Sequence, residues 1–172
     1  GALGALGGRA DVDRLFEKLR SESEETVKES VLYGLVRLCG PHKSKVLQGV
    51  ESGFAAEDRS SLVYVVRVLG HCGGRKHVGK LAMLLKDESP LIRREALAAL
   101  GRLAPPQARE QAMAFLNDDE IENRSLACKI LSETGGRGTT EALVRMLNDK
   151  SGWVRLEALR GLVTLGGTAK GP

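Results

Sequence analysis

The stretch Ile92–Ala104, IRREALAALGRLA, returns at Val154–Gly166 as VRLEALRGLVTLG, and this return decides the fold. The offset is 62 residues, twice 31. Between the two, Asn123–Gly135 reads NRSLACKILSETG and keeps Arg124, Ala127, Leu131 and Gly135 in register with Arg93, Ala96, Leu100 and Ala104. Upstream, VKESVLYGLVRLC from Val27 and DRSSLVYVVRVLG from Asp58 fill the same apolar slots. LGALGG from Leu3 reads as the tail of one more copy.

A second segment recurs between these, ending at Leu19, Val50, Leu85, Leu116 and Leu147, at spacings of 31, 35, 31 and 31. The long interval reflects about three extra residues in GHCGGRKHVGK, Gly70 to Lys80, which read as a Gly-rich loop or an extended helix start. Within both segments apolar residues fall at i, i+3, i+4 and i+7, as in Leu81, Leu84, Leu85 and in Ala96, Ala99, Leu100, Leu103. Each copy is therefore two amphipathic helices. Gly40, Gly70, Gly101, Gly135 and Gly166 fall at or near the ends of the first helices, where a left-handed cap is expected. Pro41, Pro105 and Pro106 follow such ends. One helix pair cannot bury its own apolar face, so the copies must stack. The pattern predicts an all-α solenoid of about five helix pairs, one repeat domain over residues 1–172.

Composition fits this reading. Hydrophobic residues make up 42% of the chain and aromatics only 3%, which suits helices packed through Leu, Val and Ala. No apolar run nears the roughly 18 residues of a membrane span, and the start lacks a signal-peptide layout. Cys39, Cys72 and Cys128 are scattered and odd in number, which suggests neither a disulfide framework nor a zinc site, and a cytoplasmic, reducing setting. The net charge is +4. It is unevenly spread, with eight Lys or Arg against three acids between Lys43 and Lys86, a balance of +5.

Taken together, LLKDESPLIRREALAALGRL (Leu84–Leu103) and MLNDKSGWVRLEALRGLVTLG (Met146–Gly166) resemble the short bacterial HEAT-like repeats, the type also called phycobilisome-lyase HEAT-like. The resemblance spans essentially the whole chain and implies a right-handed α-α superhelix. It also implies a ladder of hydrogen bonds across the inter-helix turns, carried onto Asp87 with Arg93, Asp118 with Arg124, and Asp149 with Arg155. Two earlier copies depart from the pattern: Glu22 stands with Lys28, and Arg59 has Gly53 at the acid's place.

In such solenoids the second helices line a concave face, with exposed slots two and five residues before their last Leu or Val. Those slots hold Arg14 and Glu17, Lys45 and Gln48, Lys80 and Met83, Gln111 and Ala114, then Ala142 and Arg145. Arg14, Lys45 and Lys80 would form a basic column beside an apolar patch of Met83 and Ala114. Two readings stand: a groove for an acidic or amphipathic protein segment, or a solvated charged face. Trp153, in the turn before the last clear helix, either anchors a partner or covers a neighbouring turn.

Catalytic chemistry has little to stand on. Cys72 with His71 or His77 is the one local nucleophile arrangement, and no phosphate loop, HExxH run or paired-carboxylate motif is present. His42 and His71 follow equivalent helix ends and with Cys39 and Cys72 form a weak zinc candidate of no standard spacing. No cofactor or metal is expected. HEAT-like relatives that handle bilins or alkylated DNA suggest further roles, but Phe16 and Phe115 fill apolar slots and leave few aromatics for bases. The expectation is a non-catalytic scaffold for protein partners, with nucleic-acid binding by the basic central copies as the alternative. With Leu3, Leu6, Leu162 and Leu165 expected to be partly bare at its ends, the chain reads as a fragment of a longer one or an end-to-end oligomer.

Overall fold

The computed structural model describes residues 8–56 and 58–168, the side chains of 167 and 168 excepted. Leu3 and Leu6 lie outside the described residues. Ten α-helices and one 3-10 turn make up the described chain: α1 (Arg9–Ser21), α2 (Glu25–Leu38), α3 (Lys43–Ala55), α4 (Arg59–Cys72), the 3-10 turn Arg75–His77, α5 (Val78–Leu84), α6 (Pro90–Leu103), α7 (Pro105–Phe115), α8 (Ile121–Thr134), α9 (Thr139–Met146) and α10 (Gly152–Thr168). The even-numbered helices are the first helices of the copies and the odd-numbered ones the second.

The first helices form a continuous layer, in which α2 packs on α4, α4 on α6, α6 on α8 and α8 on α10. Each second helix fills the angle beside its own first helix, as α7 does against both α6 and α8. Beyond α1 and α3, successive second helices make little backbone approach to one another. The core runs along the stack as a row: Leu19, Leu35, Leu69, Leu97, Leu100, Leu131 and Leu143 are fully or almost fully buried. These are the i, i+3, i+4 positions of the repeat, so the 3.6-residue period alone selects which face is covered.

Local signals set the helix ends. Proline opens α6 and α7 at Pro90 and Pro105, where its missing N–H has no intrahelical acceptor to lose. Asp58 caps α4, accepting from the amides of Ser60 and Ser61. The glycines divide into two kinds. Gly135 ends α8 at φ 59° and ψ −154°, a positive-φ conformation that favours glycine but not the left-handed helical cap expected. Gly70, Gly101 and Gly166 instead lie inside α4, α6 and α10. At Gly70 the reason is close packing, because a Cβ there would sit 3.0 Å from the Cβ of Ala99 on α6. The inserted residues after Gly70 form the end of α4 and the 3-10 turn, leaving α5 only 7 residues long. His77 closes that turn, its Nδ1 accepting from the Gly74 amide at 3.0 Å.

The scattered-cysteine expectation is corrected here. Cys39 and Cys72 form a disulfide, with Cα atoms 5.3 Å apart. Their 33-residue separation is one repeat plus part of the insertion, so the ends of α2 and α4 bring them together in adjacent copies. Cys128 is buried, and that burial pushes its thiol up to about 12, so it stays protonated and packs as a small apolar residue.

Candidate partner groove and charged ladder

Arginines at the start of the first helices tie one copy to the next. Arg124 on α8 donates from Nη1 to the carbonyls of Asp118 and Asp119 in its own turn, both at 2.9 Å. With Nε and Nη2 it grips both carboxylate oxygens of Asp149 in the following turn, at 2.8 and 3.0 Å. Arg93 repeats the arrangement, with the carbonyls of Asp87 and Glu88 on one side and Asp118 on the other. Each acid in turn accepts the amide two residues on: Ser89 for Asp87, Glu120 for Asp118 and Ser151 for Asp149. The planar guanidinium fork suits this bidentate geometry. Arg124 holds Asp149 below the ordinary aspartate value, against the opposing effect of its burial. For Asp118 burial acts upward, and Arg93, the Glu120 amide and Asn123 outweigh it, so its carboxyl is also lowered.

Each arginine thus reads the carbonyls of its own turn and the carboxylate of the next, so the Asp87–Arg93, Asp118–Arg124 and Asp149–Arg155 pairs meet through backbone and not through carboxylates. Arg59 belongs to the ladder, because its guanidinium reaches Asp87. Gly53 lies within α3, packed on Val65, and is not a turn position. Glu22 and Lys28 do not pair; Glu22 binds Lys18, and the buried Lys28 reaches Ser60 at 3.2 Å. Arg155 donates to the carbonyls of Asp149 and Lys150 at 2.8 and 3.3 Å, and among the described residues no carboxylate meets its fork.

The second-helix slots behave differently from one another. Lys45 Nζ pairs with Asp13 at 2.7 Å, Lys80 Nζ with Glu51 at 2.6 Å, and Arg14 lies 3.7 Å from Asp11. The basic column is therefore a row of ion pairs, and its surface field is weaker than a count of cations implies. Gln48, Ala114 and Arg145 are exposed, and Gln111 is half-buried. Ala142 is buried, a correction to its slot: it lies one helical turn before the buried Met146 and shares that residue's face. Met83 is 77% exposed.

Beside Met83 the wide spacing of α3 and α5 leaves a groove of ≈ 440 Å³ lined by Glu51, Phe54, Ala55, Lys80, Met83 and Leu84. The Lys80 ammonium lies over the Phe54 ring, 4.2 Å from its centroid. Glu51 is lowered from its ordinary value, chiefly by Lys80. Its floor is apolar and its rim carries a compensated ion pair. Sequence reasoning placed Lys80 and Met83 here but missed Phe54, which lies beyond the last residue of its apolar segment.

Residues 45–120 match the family model for HEAT repeats. The described chain is an all-α helical-repeat solenoid. No curated protein sequence matches it. Among solved structures, the chain is similar to a chain in the complex of CpcE and CpcF of phycocyanin lyase from Nostoc sp. PCC7120, at 20% identity and a TM-score of 0.75, covering 90% of this chain and 99% of that one. It is also similar to YibA of E. coli, at 17% identity and a TM-score of 0.67, covering 94% of this chain and 64% of that one. A designed armadillo repeat protein in complex with the peptide (KR)4 matches at 15% identity and a TM-score of 0.54, over 95% and 90% of the two chains. At these identities the likeness is one of fold.

The catalytic and metal candidates are rearranged by the structure. Cys72 is tied to Cys39, which withdraws the Cys72–His nucleophile and both zinc thiolates. Among the described residues no group of three His, Cys, Asp or Glu side chains is placed to hold a metal ion. Burial, with Arg102 and Arg67 nearby, lowers His71 from its ordinary value. Trp153 is the second residue of α10 and 61% exposed. It borders a shallow depression of ≈ 430 Å³ between α8 and α10, with Leu126, Lys129 and Arg160.

Proposed function

We propose that the chain is a non-catalytic scaffold that binds an extended or helical protein segment in the groove between α3 and α5, on the concave face of the solenoid. The observation that carries this reading is Met83, a large flexible apolar side chain left open beside Phe54 where neighbouring second helices part. Met and aromatic side chains are the usual anchors of adaptable peptide grooves. Because Lys80 and Lys45 already hold acids, the groove favours an amphipathic segment that inserts an apolar side chain over one that is merely acidic. Arg14, Gln48, Gln111 and Arg145 would flank it as polar positions. The nucleic-acid alternative rests on the +5 balance between Lys43 and Lys86, and the ion pairs of Lys45 and Lys80 reduce its support. Unpaired cysteines would suit a cytoplasmic, reducing setting, and the Cys39–Cys72 disulfide removes that support. Among the described residues no helix is long and apolar enough to cross a membrane.

The test is selection of peptides from a displayed random library, followed by titration of the selected peptides against the parent chain and Met83→Glu. Met83→Glu should weaken binding at least tenfold, while Trp153→Ala leaves it unchanged. Peptides that bind Met83→Glu as well as the parent chain would remove the groove from the account. Micromolar affinity for duplex DNA that falls steeply with salt would move the assignment to nucleic acid.

A further inference from the structure

The groove at Met83 is part of a longer trough. On α3, Lys43, Ser44 and Leu47 line a second cavity of ≈ 610 Å³, and Glu51, Phe54 and Ala55 line the Met83 groove. Steps of three and four residues join them, so all share one stripe of the helix. The opposite wall is continuous in the same way. Lys76 and His77 of the 3-10 turn border the second cavity, and Lys80, Met83 and Leu84 of α5 follow them into the first. Between the two stands Glu51, with Oε2 at 2.6 Å from Lys80 Nζ and Oε1 at 4.0 Å from His77 Nε2. The cavities are therefore compartments of one gap between neighbouring second helices, divided by a sill.

The compartments differ in chemistry. The one at Met83 is apolar, and its cation, Lys80, already holds Glu51. The other carries Lys43 and Lys76, both exposed, and no acid lines it. Among the described residues neither lysine has an ion-pair partner, and Lys76 acts on Glu51 only as a more distant charge. Much of this compartment is made by the residues that break the repeat. Gly73, Gly74, Lys76 and His77 all lie in the insertion after Gly70, which gives this copy its extra length. The Cys39–Cys72 disulfide fixes its two sides, since Gly40 and Gly73 are the next residues along the chain. The remaining copies stack without such residues, so stacking does not account for them.

We propose, resting on the groove reading above, that the trough takes a protein segment of fixed polarity: a large apolar side chain enters beside Phe54 and Met83, and a carboxylate of the same segment meets Lys43 and Lys76. Exposed lysines with no acid beside them favour a carboxylate at that end, and Glu51 turns one away from the sill by like charge. The two parts of the α3 stripe centre about nine residues apart, which is about 13 Å at the helical rise. That distance is about four residues of an extended segment, or about eight of a helix. The trough thus reads direction as well as composition, because a reversed segment brings its acid against Glu51.

Fluorescence anisotropy with labelled peptides, selected on the parent chain from a displayed random library, tests this. The peptides should share one large apolar residue and one Asp or Glu at either of those spacings, in a single order along the chain. Lys43→Glu with Lys76→Glu, both at exposed positions, should weaken their binding at least tenfold with an unchanged helical circular dichroism spectrum. Replacing the peptide's acid by lysine should restore binding to that variant. Met83→Glu separates the two levels of the reading. Peptides weakened by Met83→Glu but not by Lys43→Glu with Lys76→Glu leave the groove in place and overturn the polarity, whereas peptides indifferent to Met83→Glu overturn both. Reversed-sequence peptides that bind as tightly as the originals also overturn the proposal. So does duplex DNA that displaces the peptides from the parent chain, which would give the lysines to phosphate.

Discussion

Replacing Arg124 by alanine removes more than one contact, and the structure sets how much that should cost. The guanidinium makes four hydrogen bonds, two to turn carbonyls and two to Asp149. Its side chain is 5% exposed and that of Asp149 7%. Deleting one member of a buried, hydrogen-bonded pair costs about 3–5 kcal/mol, because the other charge stays buried. For a chain of this length each kcal/mol moves Tm by about 2–4 °C, so Arg124→Ala should lower it by about 6–20 °C. Arg155→Ala provides the internal control. It occupies the same repeat slot, but is exposed and meets only two carbonyls, so its loss should stay within about 1 kcal/mol. Urea unfolding followed by circular dichroism reads both. Hydrogen exchange locates the damage, which should open α10 ahead of α4, since interactions in a solenoid are nearest-neighbour. Equal losses for Arg124→Ala and Arg155→Ala would refute the reasoning, because burial and the carboxylate partner would then contribute nothing.

Three further outcomes follow from the same packing. Gly70→Ala should destabilise, although alanine is the better helix former by about 1 kcal/mol, because the new methyl meets Ala99 at 3.0 Å; a higher Tm would show that α4 and α6 can separate without loss. Reducing the Cys39–Cys72 disulfide, or changing both residues to serine, should cost about 3.7 kcal/mol by chain entropy for a loop of this length, read as a lower urea midpoint. Asp118 and Asp149 are lowered in the fold, so their contribution is present above the ordinary aspartate value of 3.8 and disappears as pH falls through the still lower folded values. Acid titration of Tm should therefore show a drop below pH 3.8 that is smaller in Asp149→Asn.

The stack was legible because every copy repeats the same burial rule, and a period of 31 residues is visible wherever Leu and Ala recur. What joins one copy to the next was only partly legible. The ladder residues announced themselves by recurrence, yet the partner of each arginine is about 25 residues away in the next turn, and spacing within a single copy points to the nearer acid. The paired cysteines were hidden by the insertion, which shifts Cys72 out of step with Cys39. Gly70 and Gly101 resemble helix stops in a one-dimensional pattern, while in three dimensions both lie within helices and Gly70 serves the close crossing of α4 and α6. Phe54 was missed because it lies past the end of its apolar segment, so nothing in the period marked it as the ring that floors the groove.

The two sides of the solenoid differ in how they would yield to strain. Along the first-helix layer the helices pack closely and the arginine forks, that of Arg124 buried, act as rivets. Across from it, α3 and α5 are joined by the half-exposed Lys80–Glu51 pair, a link worth on the order of 0–1 kcal/mol. The molecule is built like a fan, stiff at the rib where the leaves are pinned and loose at the edge where they spread. An occupant of the edge can widen its own seat by parting one surface ion pair, while the pinned rib holds the remaining leaves in order.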